Sequence, residues 1–114
     1  MELLSLKENP TLRDYQDYIA KMIVERGFDK ETVPELFLLL MEECGELAKA
    51  VRKSETNIKF DKTSKDYRVD LEAADVFMYI LDICNHLGVD LEKAFREKET
   101  LNAQREWLDK STNS

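Results

Sequence analysis

Four acids at matched spacing dominate the chemistry open to this chain. Glu43 and Glu46 stand three residues apart in Glu42-Glu43-Cys44-Gly45-Glu46, and Glu72 and Asp75 stand three apart in Glu72-Ala73-Ala74-Asp75. Residues at that spacing share a face when the backbone is helical. Both pairs also fall inside apolar stripes. One stripe runs Leu36, Leu39, Leu40, Glu43, Glu46/Leu47, Ala50; the other runs Val69, Glu72, Val76, Tyr79/Ile80, Ile83, Leu87. A carboxylate is costly to bury unless it is paired, protonated or bound to a metal. Two such helices face to face would gather four hard oxygen ligands, a set suited to Mg2+ or Mn2+ rather than Zn2+. Glu42 lies one residue off this face and is read as a group that supports the ligands, as one that activates water, or as a solvated acid. The competing reading of all four acids is that they are exposed and that the true buried faces are rotated.

A second group lies further along. Lys98, Asn102 and Arg105 are spaced i, i+4 and i+7, so on one helix they share a face. The two cations suit phosphate oxygens, and the amide suits a phosphate, sugar or base. An ordinary charged surface gives the same pattern. Tyr79 follows Asp75 by one turn and is placed to line a pocket beside the acids, or simply to pack in the core. Phe28, Phe60, Tyr67 and Trp107 are aromatics of the same kind with less to locate them. His86 is read as a partner for the end of its helix. Cys44 and Cys84 lack disulfide-framework or metal-site spacing and are expected to be reduced, packed thiols.

The elements that must position these residues are helices. Gly and Pro are scarce, while Leu, Glu, Lys and Ala abound. A first helix is expected over about 11–26, stopped by Gly27. A second follows over about 33–53, with Thr32 as N-cap, Glu35 as capping-box partner and Pro34 in the first turn, where it is tolerated. Gly45 inside that helix suggests close approach of a backbone or ligand, or tight helix packing. Residues 54–63 form a polar connection, either a flap or a plain loop. A third helix is expected from about Ser64 to Leu87, ended by Gly88. A fourth runs from Leu91 to about Leu108, capped by Asp90. The polar tail 109–114 closes the chain.

At 114 residues this is one domain, 1–114, with its core over about 11–108. The expected fold is all-α, a four-helix bundle-like arrangement. Leu36–Met41 is apolar all round, so burial on more than one side is expected, with a dimer formed near the second helix. The net charge of −7 disfavours nucleic acid as a partner. No stretch is long and apolar enough to span a bilayer, and no signal peptide is recognised, so a cytoplasmic location is the default expectation.

The order Glu42-Glu43-x-x-Glu46, then Glu72-x-x-Asp75, then Lys98-x3-Asn102-x2-Arg105 resembles the MazG-like family of all-α nucleoside triphosphate pyrophosphohydrolases. The flanking residues extend the match, in Glu42-Glu43-Cys-Gly-Glu46-Leu-Ala and Glu72-Ala-Ala-Asp75-Val-Phe-Met-Tyr79. The resemblance covers about residues 15–107. It implies a homodimer or homotetramer and Mg2+-dependent cleavage of a nucleoside triphosphate to the monophosphate and pyrophosphate. By motif position, Glu43, Glu46, Glu72 and Asp75 are the implied metal ligands. Lys98, Asn102 and Arg105 are the implied triphosphate and nucleotide contacts, and Tyr79 is the implied pocket wall. Some relatives place a tryptophan at the end of the first helix to stack on the base; Phe28 stands there in this chain, so base preference does not carry over. Glu42 or Glu46 is the expected general base. Two other readings are weighed. A carboxylate-bridged di-iron bundle needs two Glu-x-x-His pairs, and one histidine cannot supply them. A non-catalytic helical module that binds nucleotide or protein needs no metal at its acids.

Overall fold

The computed structural model describes residues 4–63 and 68–108. It has four helices: α1 (Leu12–Glu25), α2 (Val33–Glu55), α3 (Val69–His86) and α4 (Leu91–Ala103). No strand occurs among the described residues. No helix there is long and apolar enough to cross a membrane.

Local chemistry fixes most of the helix ends. Thr11 caps α1 through a reciprocal box with Asp14: Asp14 N–H donates to Thr11 Oγ1 (3.2 Å) and Thr11 N–H to Asp14 Oδ2 (2.9 Å). Thr32 and Glu35 do the same for α2, at 3.3 and 2.9 Å. Asp90 accepts from Lys93 N–H at the start of α4 (3.1 Å). Gly27 (φ 80°) and Gly88 (φ 66°) take the left-handed conformation after α1 and α3. Each lets the next residue close the helix, Phe28 N–H onto Ile23 O (2.7 Å) and Val89 N–H onto Cys84 O (2.9 Å).

Two boundaries differ from expectation. The expected start of the third helix at Ser64 lies outside the described residues. Arg68 is extended and forks onto Asp70 at 2.9 and 2.7 Å, so α3 begins at Val69. The fourth helix ends five residues early, at Ala103, where the backbone tightens into three-residue bonds, Gln104 N–H to Leu101 O and Arg105 N–H to Asn102 O. Arg105 and Trp107 therefore lie beyond it.

α2 packs chiefly against α3, α1 packs against α3, and α4 leans on α1. The central cluster is Ile19, Met22, Ile23 and Leu81, with Tyr15, Tyr18 and Phe77 against it. Tyr15 and Phe77 meet edge to face, 5.6 Å apart at 72°. The inward side of α3 is wider than the expected stripe: Glu72, Val76, Tyr79, Ile80 and Ile83 of that stripe are half-buried and its ends Val69 and Leu87 are exposed, while Leu81 and Asp82, off the stripe, are the most buried. With α1 and α2 both packing on it, α3 buries more than one stripe, and its apolar residues run nearly all round.

A polar clamp ties α1 to the α3–α4 turn. The fully buried Gln16 donates to Asn85 Oδ1 (3.0 Å) and Val89 O (2.8 Å) and accepts from Leu91 N–H (3.0 Å). Asn85 returns a bond to Gln16 O (2.8 Å). At the end of α2, Lys53 is buried with its ammonium 5.4 Å from the Phe60 ring, which holds the connecting segment near the helix.

The arrangement is open. The Cα radius of gyration is 18.3 Å, against about 13 Å for a compact chain of this length. On α2, Phe37, Leu38 and Met41 are exposed, and on α4 so are Phe95 and Leu101. Among the described residues, nothing beyond its own chain neighbours and helix backbone lies within 4 Å of a Cβ built on Gly45.

Candidate metal centre and adjoining cavity

α2 and α3 bring three acids to one point. One carboxylate oxygen from each of Glu43, Glu72 and Asp75 lies within 4.8 Å of the others. The helix pairing makes this happen, because Glu43 and the i, i+3 pair of α3 meet across the α2–α3 contact. Glu46 is exposed one turn further along α2 and stands outside that trio, though its charge still acts on Glu43. Glu42 is exposed beside it.

The electrostatics fit a cation. Burial, followed by the charges of Asp75, Glu72, Glu46 and Glu42, pushes the Glu43 carboxyl above its ordinary value. Among the described residues, the charges that shift it are all acids. A divalent ion bound among these oxygens would turn that repulsion into attraction, and the all-oxygen donor set suits Mg2+ or Mn2+.

Two of the three acids, but not Glu72, border a cavity of about 200 Å³ among α1, α2 and α3, which Arg26 also lines. Glu43 and Asp75 stand on it, and so do Phe28 and Tyr79. Ile19, Met22 and Ile23 of α1 give it an apolar side. Burial, then the charges of Glu31 and Glu43, raises the Tyr79 phenol, which keeps the ring a neutral wall.

Sequence reasoning missed Asp82, which also lines this cavity and is 4% exposed. The signal was present, since Asp82 follows Asp75 by seven residues and Tyr79 by three, and so falls on their face. It is surrounded in sequence by Ile80, Leu81 and Ile83, where an acid is out of place. His86, read as a helix-end partner, donates from Nδ1 to Asp82 O (3.0 Å) and stands 3.1 Å from Asp82 Oδ1.

Lys98, Asn102 and Arg105 sit elsewhere. None lines the cavity, and α4, which carries the first two, packs on α1. Lys98 and Arg105 are exposed, while Asn102 is half-buried with its Oδ1 enclosed and without a hydrogen bond among the described residues. Within one chain the cationic group and the acids are separate constellations.

A family model described as the MazG nucleotide pyrophosphohydrolase domain matches residues 31–102. That span runs from just before α2 almost to the end of α4 and contains all three converging acids. No curated protein matches the chain.

Proposed function

This chain belongs to the MazG nucleotide pyrophosphohydrolase family, and on that premise we propose that it is a Mg2+-dependent nucleoside triphosphate pyrophosphohydrolase that converts a (d)NTP to (d)NMP and pyrophosphate. The setting we propose is cytoplasmic cleaning of the nucleotide pool. The observation that carries the reading is the meeting of Glu43, Glu72 and Asp75 beside a cavity with an aromatic wall.

Glu43, Glu72 and Asp75 would hold the ion, with Glu46 as a further ligand; Mn2+ is an acceptable substitute. When bound, the cation neutralises triphosphate charge and polarises the phosphoryl group. The chain's own residues do the rest. Glu46 or Glu42, outside the trio, takes the proton of the attacking water. The water oxygen bonds to phosphorus, the α–β bridging bond breaks, and pyrophosphate leaves. Phe28 and Tyr79 flank the nucleoside end.

Lys98, Asn102 and Arg105 are proposed as triphosphate contacts. In one chain they lie off the cavity, so in this reading they act in an assembled homodimer or homotetramer. Exposed Phe37, Leu38 and Met41 on α2 offer an apolar face for that assembly.

The test is to incubate the protein with Mg2+ and a panel of standard and modified nucleoside triphosphates and to resolve the products. Monophosphate plus pyrophosphate supports the reading. Silence across the panel, with no Mg2+ bound at millimolar concentration, would favour instead a non-catalytic helical module that binds nucleotide or protein.

A further inference from the structure

The connection between α1 and α2 brings to the cavity two charged side chains that the hydrolysis described above does not use, Arg26 and Glu31. Gly27 turns the backbone in the left-handed conformation, and its two neighbours, Arg26 and Phe28, both line the cavity. Ten residues of α2, about 15 Å along the axis, separate Val33 at its start from Glu43. The connection therefore meets the cavity away from the point where the acids converge, on the side of its aromatic wall. Glu31 is the foremost charge acting on the Tyr79 phenol, so its carboxylate lies near that ring.

Both groups are accessible and uncommitted. Arg26 is exposed and Glu31 is half-buried. Among the described residues, neither side chain makes an ion pair or a hydrogen bond, with the other or with any third group. Arg26 is the one cation among the described residues on the cavity wall. Its guanidinium only donates hydrogen bonds, and a carboxylate such as that of Glu31 only accepts them. A ligand edge that offers an acceptor beside a donor satisfies both groups, and the reversed edge satisfies neither.

We infer that Arg26 and Glu31 read the pairing edge of the nucleobase, Arg26 donating to a keto oxygen and Glu31 accepting from the ring N–H next to it, so that the chain prefers keto bases to their amino counterparts. Hypoxanthine and uracil, like guanine and thymine, present that oxygen and that N–H side by side. Adenine and cytosine turn an amine toward the guanidinium and a ring-nitrogen lone pair toward the carboxylate, donor against donor and acceptor against acceptor. This deepens the pyrophosphohydrolase reading and rests on the cavity being the nucleoside site.

The experiment measures binding within matched pairs, IMP against AMP and dUMP against dCMP, by calorimetry on the full chain with Mg2+ present. The keto member of each pair is expected to bind roughly tenfold tighter or more. Two variants are each expected to cut that ratio to about threefold or less. Arg26→Ala does so by weakening the keto member, and Glu31→Gln because its amide also donates to the ring nitrogen of the amino member. Equal affinities within both pairs in the natural protein, or tighter binding of the amino members, would overturn the inference and leave the nucleotide reading standing. So would an Arg26→Ala variant that weakens both members alike, the result of a guanidinium bound to phosphate or stacked on the base. Absence of binding by all four nucleotides would overturn the nucleotide reading as well. The ratio in the natural protein decides even if a variant does not fold.

Discussion

Individual side chains carry the first predictions. Glu43→Gln or Asp75→Asn takes an oxygen charge from the convergence point, and each should lower kcat/KM by more than the roughly 10–100-fold typical of a group outside the metal's own ligands, with the helical circular dichroism unchanged. Retained turnover in both variants would remove the site. The same acids set a pH dependence. Burial and like charges hold Glu43 above its ordinary 4.5, and burial holds Asp82 above 3.8. A carboxyl whose folded pKa is raised contributes stability that is full below its unfolded value and is lost as pH rises through the folded one. Asp14, Glu35, Asp61 and Asp70 are lowered, chiefly by hydrogen bonds from Thr11, Thr32, Thr63 and Arg68, and their contribution is lost as pH falls. In chelator, Tm should therefore be highest in mild acid and decline toward neutrality. Excess Mg2+ should raise the neutral Tm more than the acid one, and Glu43→Gln should flatten the decline. A metal-free Tm that climbs steadily to neutrality would show that the acids do not repel one another as described.

For the helices as elements, the informative residues are Gln16 and Gly45. Gln16→Ala leaves Leu91 N–H and Val89 O without partners inside the protein, a loss of about 3 kcal/mol, readable as a lower urea midpoint. Gly45→Ala tests packing from the other direction. With open space around Gly45 in one protomer, alanine should stabilise an isolated chain by up to about 1 kcal/mol. If a partner helix crosses there, the same change should instead weaken assembly, and sedimentation of the two proteins distinguishes the cases. Several helix ends were legible in sequence because caps are local: Thr32, Asp90, Gly27 and Gly88 each act within a few residues of themselves. The full width of the buried face of α3 was not. From Val76 to Cys84 nearly every residue is apolar or aromatic, so periodicity could not choose the inward side; the contacts of α1 and α2 with α3 chose it. Asp82 was overlooked for the same reason, because its significance lies in the cavity it reaches and not in a pattern along the chain. The early end of α4 had no Gly or Pro to announce it.

Considered as a whole, the chain has an open arrangement. Its radius of gyration exceeds the compact value by about 40%, and Phe37, Leu38 and Met41 lie exposed on the helix that carries Glu43. Leu38→Asp combined with Met41→Asp should shift the mass measured by light scattering toward the monomer. If Lys98 and Arg105 act only in the assembly, that shift should bring a loss of turnover beyond what the change in stability explains. An unchanged mass would show that another face is used.

The Gln16 clamp also bears on motion. α4 has no buried residue of its own and is tied to the rest through one carboxamide at its first turn and a modest contact with α1. Its backbone amides should therefore exchange with deuterium long before those of α1 and α3, opening as a separate unit hinged at Leu91. A partner or ligand that captures the helix would slow that exchange along all of Leu91–Ala103 together, which makes the deuterium uptake of this one segment a test of whether anything engages it.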